Sequence, residues 1–273
     1  MSSIIVGQGG IGAALADRID GALRWSRPDV DPTDEASIIC AAANLETVNL
    51  AIVTTGMLHD DNQRPERALK ELDPATLARS FAINTIAPAL VAKHLIPKMP
   101  RDRRAVFAVL GARVGSIGDN RTGGWHGYRA SKAALVMMMK TIAIETARTR
   151  PHAIIVTLHP GTVDTGMSKP FQGNVTPEKL FTPAFSAECL LSVIDGLTPA
   201  DSGGHFAWDG TNLTEVTRPE PHPNCYTPQS TTRIYNDYVD KLVACSAKGN
   251  QCMAGEDSRR GVFFKSSLFF CTN

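Results

Sequence analysis

The segment Ser3–Ile19, SIIVGQGGIGAALADRI, decides the fold. SIIV is short, apolar and rich in β-branched residues, the composition of a buried strand. IGAALADRI then spaces its apolar positions at helical intervals, which predicts a helix over Ile11–Ile19. Between them the glycines fall as G-x-G-x-x-G over Gly7, Gly9 and Gly12, with Gly10 and Ile11 inside the motif. Glycines between a strand and a helix let the backbone approach a pyrophosphate, and the helix start offers oriented N–H groups to it.

Outward from this unit the same alternation repeats. Strands are predicted at Leu23–Ser26, Asn49–Thr55, Arg104–Gly111, His152–Gly161 and Gly204–Gly210. Helices are predicted at Asp34–Leu45, Asp73–Met99, Gly127–Thr149 and Ser186–Leu197, the second opened by an Asp N-cap with Pro at the first helical position. Alternating strands and helices imply an α/β fold: a doubly wound, mostly parallel sheet with helices on both faces. Composition shifts near Thr214. One domain is therefore expected over 1–214, followed by an irregular extension, 215–273, poorly ordered or loosely docked.

The chain has 273 residues, 43% apolar and 20% charged, with a net charge of +1. Such a balance gives no electrostatic reason to expect a nucleic-acid partner. No unbroken apolar run reaches the length of a membrane span, and the N-terminus enters a strand without a basic leader. Four of the 6 cysteines fall in the extension, and the remaining spacings match no zinc pattern, so no metal is expected. A cytoplasmic location is the expectation.

Tyr128 and Lys132 stand four residues apart in GWHGYRASKAAL, and so share one helix face. A free phenol titrates near 10, and a neighbouring ammonium is expected to lower that value. A phenol so tuned can give a proton to a carbonyl oxygen or take one from an alcohol.

YRASK, GQGGIG, AIVTTGML, INTIAPALV and HPGTVDT occur in the order seen in the short-chain dehydrogenase/reductases, and the chain resembles that family over residues 1–214. GWHGYRASKAAL with LHPGTVDTGMSKPFQGNV is most similar to the C-factor-type and sniffer-type carbonyl reductase branch. The resemblance implies a Rossmann-type fold and an oxidoreductase that moves hydride between a nicotinamide cofactor and a small carbonyl or alcohol. Tyr128 would be the general acid/base and Lys132 the ribose-binding, pKa-lowering partner. Asn84 would hold a water in the proton relay. Gly7, Gly9, Gly10, Ile11, Gly12 and Gly56 would line the cofactor cleft. Pro160, Gly161, Val163 and Thr165 would contact the nicotinamide carboxamide, with Met167–Val175 as a mobile lid. Relatives often pair through their long helices, so a homodimer is expected by analogy.

Three departures qualify the resemblance. The family's Ser-Ser-x-x-Gly stretch is Gly111-Ala112-Arg113-Val114-Gly115 here, which leaves Ser116 as the candidate substitute for the missing hydroxyl. The glycine loop is offset, so Gly7 takes the first glycine's place with a small shift. Only LRWSRPDVDP stands where the family fits two strands and a helix, so one strand or part of a helix is expected to be lost. In that region Arg27, with Ser26 and Arg24, favours NADP over NAD, while Asp29 or Asp31 matches an adenine-side acid. The missing serine and the shortened cofactor region also suit an alternative: a catalytically weak or inactive dinucleotide-binding regulatory protein on the same scaffold.

Overall fold

A computed structural model describes residues 2–213. The extension read as 215–273 lies outside the described residues. The elements run β1 (Ser2–Val6), α1 (Gly10–Ala16), β2 (Leu23–Trp25), α2 (Glu35–Ala43), β3 (Val48–Val53), α3 (Pro74–Phe81) and α4 (Ala87–Leu95). There follow β4 (Ala105–Leu110), α5 (His126–Ala147), β5 (Ala153–His159), β6 (Thr162–Val163), β7 (Leu180–Phe181), α6 (Pro183–Gly196) and β8 (His205–Ala207).

Six strands form one sheet in the order β2-β1-β3-β4-β5-β8, every pair parallel. The expected mostly parallel sheet is thus wholly parallel. Between α1 and α2 the chain spares only β2, which becomes the sheet edge, so the expected loss falls on an outer strand and leaves the centre intact. The strand order reverses direction at β1, the place where a cleft opens beyond the strands' carboxyl ends.

Alternation along each strand builds two cores. Ile4, Val6, Val53, Phe107, Val109 and Ile155 face α2, α4 and α5, meeting Ile38, Leu95, Leu135 and Met139. Ile5, Ile52, Val106, Ala108, Val156 and Leu158 face α1 and α6, meeting Leu15, Leu190 and Ile194. Helix starts follow their caps. Asp34 accepts from Ala36 N at 3.0 Å, Asp73 accepts from Thr76 N at 2.8 Å ahead of Pro74, and Thr182 accepts from Phe185 N at 3.2 Å ahead of Pro183.

The helical stretch Pro74–Lys98 is 25 residues long with a window of mean hydropathy 1.3, so by length and composition it could cross a membrane, which a count of unbroken apolar runs overlooks. Its apolar side chains Val91, Leu95 and Ile96 are spent on the sheet and on α2. A π-turn over Ala82–Ile86 interrupts it, with Asn84 buried at its centre.

Candidate active site

The cleft is built at the carboxyl edge of the sheet, where one row of register partners runs Trp25, Val6, Val53, Val109, Thr157 and His205. Beyond Val6 the chain turns at Gly7, whose φ is +125° and whose N–H donates to Trp25 O at 2.8 Å. Thr54 is the post of this turn: its N and Oγ1 both donate to Val6 O, at 2.7 and 3.0 Å. A Cβ would stand 2.4 Å from Thr54 Oγ1 at Gly7 and 2.7 Å from it at Gly12, so both glycines are required by packing. Gly9, by contrast, has open space where its Cβ would be, and Gly10 abuts Thr165 and Pro183. The first N–H groups of α1 have no intrahelical partner, and the open backbone at Gly9 leaves them approachable. This arrangement fits a pyrophosphate.

Helix α5 starts without a cap of its own. Trp125, at its N-cap, has φ +50° and ψ 43° and gives no side-chain hydrogen bond. The cap comes instead from Glu66, a buried residue in the loop after β3. Its Oε2 accepts from Gly127 N at 3.1 Å and its backbone O accepts from Trp125 N at 2.5 Å. A Cβ on Gly127 would lie 2.9 Å from Glu66 Oε1. We expect Glu66→Ala to lower stability by about 1–3 kcal/mol through the abandoned N–H of Gly127, with Glu66→Gln retaining most of it, measured by urea unfolding.

One turn into α5 stand Tyr128 and Lys132. Lys132 is 3% exposed, donates from Nζ to Leu110 O at 2.7 Å, and lies 6.0 Å from the Tyr128 ring centroid. The lysine is thus turned onto the end of β4 while staying beside the phenol. Gly56 keeps the space above it free, since a Cβ there would be 3.4 Å from Lys132 Nζ and 3.5 Å from Asn84 Oδ1. Burial pushes the Tyr128 phenol up to about 12 and brings the Lys132 ammonium down to about 8. This corrects the expectation of a lowered tyrosine. Both groups sit in the same low-dielectric wall, where loss of water disfavours each charged form more than the pair's attraction restores it.

Asn84 closes the floor. Its Oδ1 accepts from Met57 N at 2.8 Å, and its Nδ2 donates to Met57 O at 2.9 Å and to Ser131 Oγ at 3.1 Å. Ser131 Oγ in turn donates to Tyr128 O at 2.9 Å, and Thr85 Oγ1 donates to Ser131 O at 2.7 Å. The asparagine side chain therefore ties the loop after β3 to the turn of α5 between Tyr128 and Lys132.

Tyr128, Ile11, Pro160, Gly161, Val163 and Thr165 line one cavity of about 700 Å³. Met167, Ser168, Phe171 and Val175 also line it, as expected of a covering segment. Phe171 packs edge-on to Trp125 at 5.0 Å, and Trp125 to Tyr128 at 6.3 Å, so an aromatic chain links cover to floor. A second hollow of about 620 Å³ lies against α6 and β8 and contains none of the predicted site residues.

Gly111 and Ala112 stand on the cavity wall where a serine was sought. A Cβ at Gly111 would be 2.7 Å from His205 Cε1, so no longer side chain fits there without displacing the imidazole. Ser116 does not take over: it is outside the cavity lining, and its Oγ accepts from Asp119 N at 3.3 Å, capping a turn. The tight turn Arg113–Gly115 explains the displacement, because Gly115 packs against α5 backbone, with a Cβ there only 2.9 Å from Lys132 C. Arg27 follows β2 beside the glycine loop, exposed and in no ion pair among the described residues. Asp31 supports the turn into α2: its Oδ1 accepts from Thr33 N at 2.9 Å and Thr33 Oγ1 at 2.7 Å, and these bonds lower its pKa.

Glu66, Ser131 and Thr85 were missed in the sequence as parts of this site, and His159 was read as flanking the cleft without a role. Only His159 carried a local signal, the Pro-Gly turn that follows it.

The short chain dehydrogenase family model matches residues 26–175. C-signal of Myxococcus xanthus is 35% identical over 147 residues, covering 54% of this chain and 82% of that protein. The 1-hydroxy-2-glutathionyl-2-methyl-3-butene dehydrogenase of Rhodococcus sp. (strain AD45) is 31% identical over 209 residues, covering 76% and 88%. In fold, the carbonyl reductase Sniffer of D. melanogaster aligns with a TM-score of 0.65 at 20% identity, over 78% of this chain and 99% of that one. An NADPH-bound carbonyl reductase from chicken fatty liver aligns at 0.62 and 21%, over 78% and 94%. The glycine turn, the Tyr128–Lys132 pair and these similarities agree, and the chain belongs to the short-chain dehydrogenase family, with C-signal among its relatives.

Proposed function

We propose that the protein is an NADP(H)-dependent reductase of small carbonyl compounds, able to run in reverse on alcohols. The observation that carries this reading is the placement of Tyr128 on the wall of a cavity that Ile11 of the glycine motif also lines, one helical turn from buried Lys132. A nicotinamide cofactor, when bound, would supply the hydride to the carbonyl carbon or accept it from the alcohol. Tyr128, neutral at pH 7, gives its proton to the carbonyl oxygen, and the Lys132 ammonium stabilises the phenolate left behind. Asn84 holds the two side chains in register through Ser131. Gly7, Gly9, Gly10 and Gly12 would hold the pyrophosphate, and Arg27 would pair with a 2′-phosphate. The NADPH complex of the chicken enzyme and the dehydrogenase activity named for the Rhodococcus relative support the same class.

The test is a saturation titration with NADPH and NADH, followed by turnover on a panel of aldehydes, ketones and quinones. Preference for NADH, or no binding of either, refutes the cofactor reading. Arg27→Ala is expected to weaken NADPH binding about tenfold, the loss of one charge-assisted pair, while leaving NADH binding within twofold, read by fluorescence titration. One observation favours a second reading, a dinucleotide-binding regulator without turnover: the two serine positions hold Gly111 and Ala112, the latter at the usual catalytic place, so the cavity wall has no hydroxyl there. Tight NADPH binding with no turnover across the panel would support that alternative.

A further inference from the structure

A carbonyl substrate in this cavity needs a donor that turns its oxygen toward Tyr128, and neither Gly111, Ala112 nor Ser116 supplies one from a side chain at the cavity wall. The register of the sheet brings a different residue to the same place. Leu110 of β4 pairs with Leu158 of β5, and Gly111 N donates to Leu158 O at 2.8 Å, so the next residue of β5, His159, stands beside Gly111. His159 lines the cavity together with Tyr128, Ala112 and Gly111. We propose that His159 donates the hydrogen bond that orients the substrate carbonyl oxygen toward Tyr128, in place of the absent serine hydroxyl; this rests on the reductase reading above.

Two further observations support the role. The Nδ1 of His159 is enclosed and has no hydrogen-bond partner among the described residues. A proton on that enclosed nitrogen would be a stranded donor, so the neutral ring carries it on Nε2 and offers it to an acceptor that enters. Burial, helped by nearby His205 and Arg113 and opposed by Asp209, brings the imidazole down to about 4. At neutral pH the ring is therefore an uncharged donor that leaves the proton transfer to Tyr128. The neighbouring imidazole is engaged elsewhere, since His205 Nδ1 meets Thr157 Oγ1 at 2.7 Å and backs Gly111.

The experiment compares His159→Phe, His159→Gln and His159→Phe/Ala112→Ser with the wild type, on the best ketone or aldehyde of the panel at saturating NADPH. His159→Phe is expected to lose about 10²–10³ in kcat/KM, as when one oriented donor is removed. The glutamine variant, which keeps an N–H, is expected to stay within tenfold of wild type. Adding Ala112→Ser is expected to restore at least tenfold, and the NADPH dissociation constant should stay within twofold throughout. His159→Phe within threefold of wild type overturns the proposal, as does a loss that neither glutamine nor the restored serine relieves. Tyr128→Phe, run beside them, separates the two readings. If it is as active as wild type, the reductase mechanism fails; if it is inactive while His159→Phe is not, only the role of His159 fails. If the wild type turns over nothing, binding of acetophenone to the NADP⁺-loaded chain decides, read by tryptophan fluorescence with Trp125 on the cavity wall. Binding at least tenfold weaker in His159→Phe supports the donor; equal or absent binding overturns it.

Discussion

Tyr128→Phe is expected to lower kcat for carbonyl reduction about 10³-fold, within the range for a lost general acid, while changing the NADPH dissociation constant less than twofold. The hydroxyl is the only atom removed, so the packing of Trp125 against the ring persists. With its pKa pushed up to about 12, the phenol is a proton donor across the whole accessible range, which suits the reductive direction. Alcohol oxidation, which requires the phenolate, should rise with pH well past neutrality. Stopped assays of both directions in the two proteins check this, and equal NADPH consumption by wild type and variant would refute the mechanism.

Lys132→Met is expected to separate stability from activity. Turnover should fall at least tenfold, because the phenolate loses its ammonium. Stability at pH 7 should nonetheless hold or rise by about 1–2 kcal/mol, since a buried charge is exchanged for an apolar chain while Leu110 O loses its donor. The pH dependence gives a sharper signature. Below pH 8 the lysine is protonated in both folded and unfolded chains. Between about 8 and 10.5 the folded chain has released a proton that the unfolded chain still binds, so wild-type stability rises with pH through that window, by about 3 kcal/mol in all. Above pH 10 Tyr128 acts in the opposite sense: the unfolded phenol ionises while the folded one keeps its proton to about 12, so stability falls. Urea midpoints from pH 7 to 10 should rise in the wild type and stay flat in Lys132→Met. A parallel rise in both proteins would sink the assignment.

Much of the architecture was legible in the residues. SIIVGQGGIGAALADRI reads as strand, turn and helix because its period changes from 2 to 3.6 across a run of glycines. Asp34 and Asp73 mark helix starts because their carboxylates satisfy N–H groups a few residues on. The short LRWSRPDVDP stretch announced the loss of a strand or part of a helix, since chain length alone limits what can be built there, and the structure places that loss at the sheet edge. The pair Tyr128 and Lys132 was legible for the same local reason: residues four apart on a helix are neighbours.

What stayed hidden came from contacts between distant segments. Glu66 caps α5 across 61 residues of chain, and Asn84 reaches Ser131 across 47. Ser116 looked suitable by proximity in the sequence, but the turn packed at Gly115 carries it away from the cavity. His159, distant from Gly111 along the chain, is brought beside it by parallel register. The direction of the tyrosine shift was also misread, because spacing reports a neighbouring charge but not the removal of water. Sequence by itself determined the order of elements, the glycine turn and the phenol–ammonium pair, all properties of residues within a few positions of one another. Tertiary structure alone decided which donors face the cavity and how strongly each charge is desolvated, because both depend on which strands and helices share a wall.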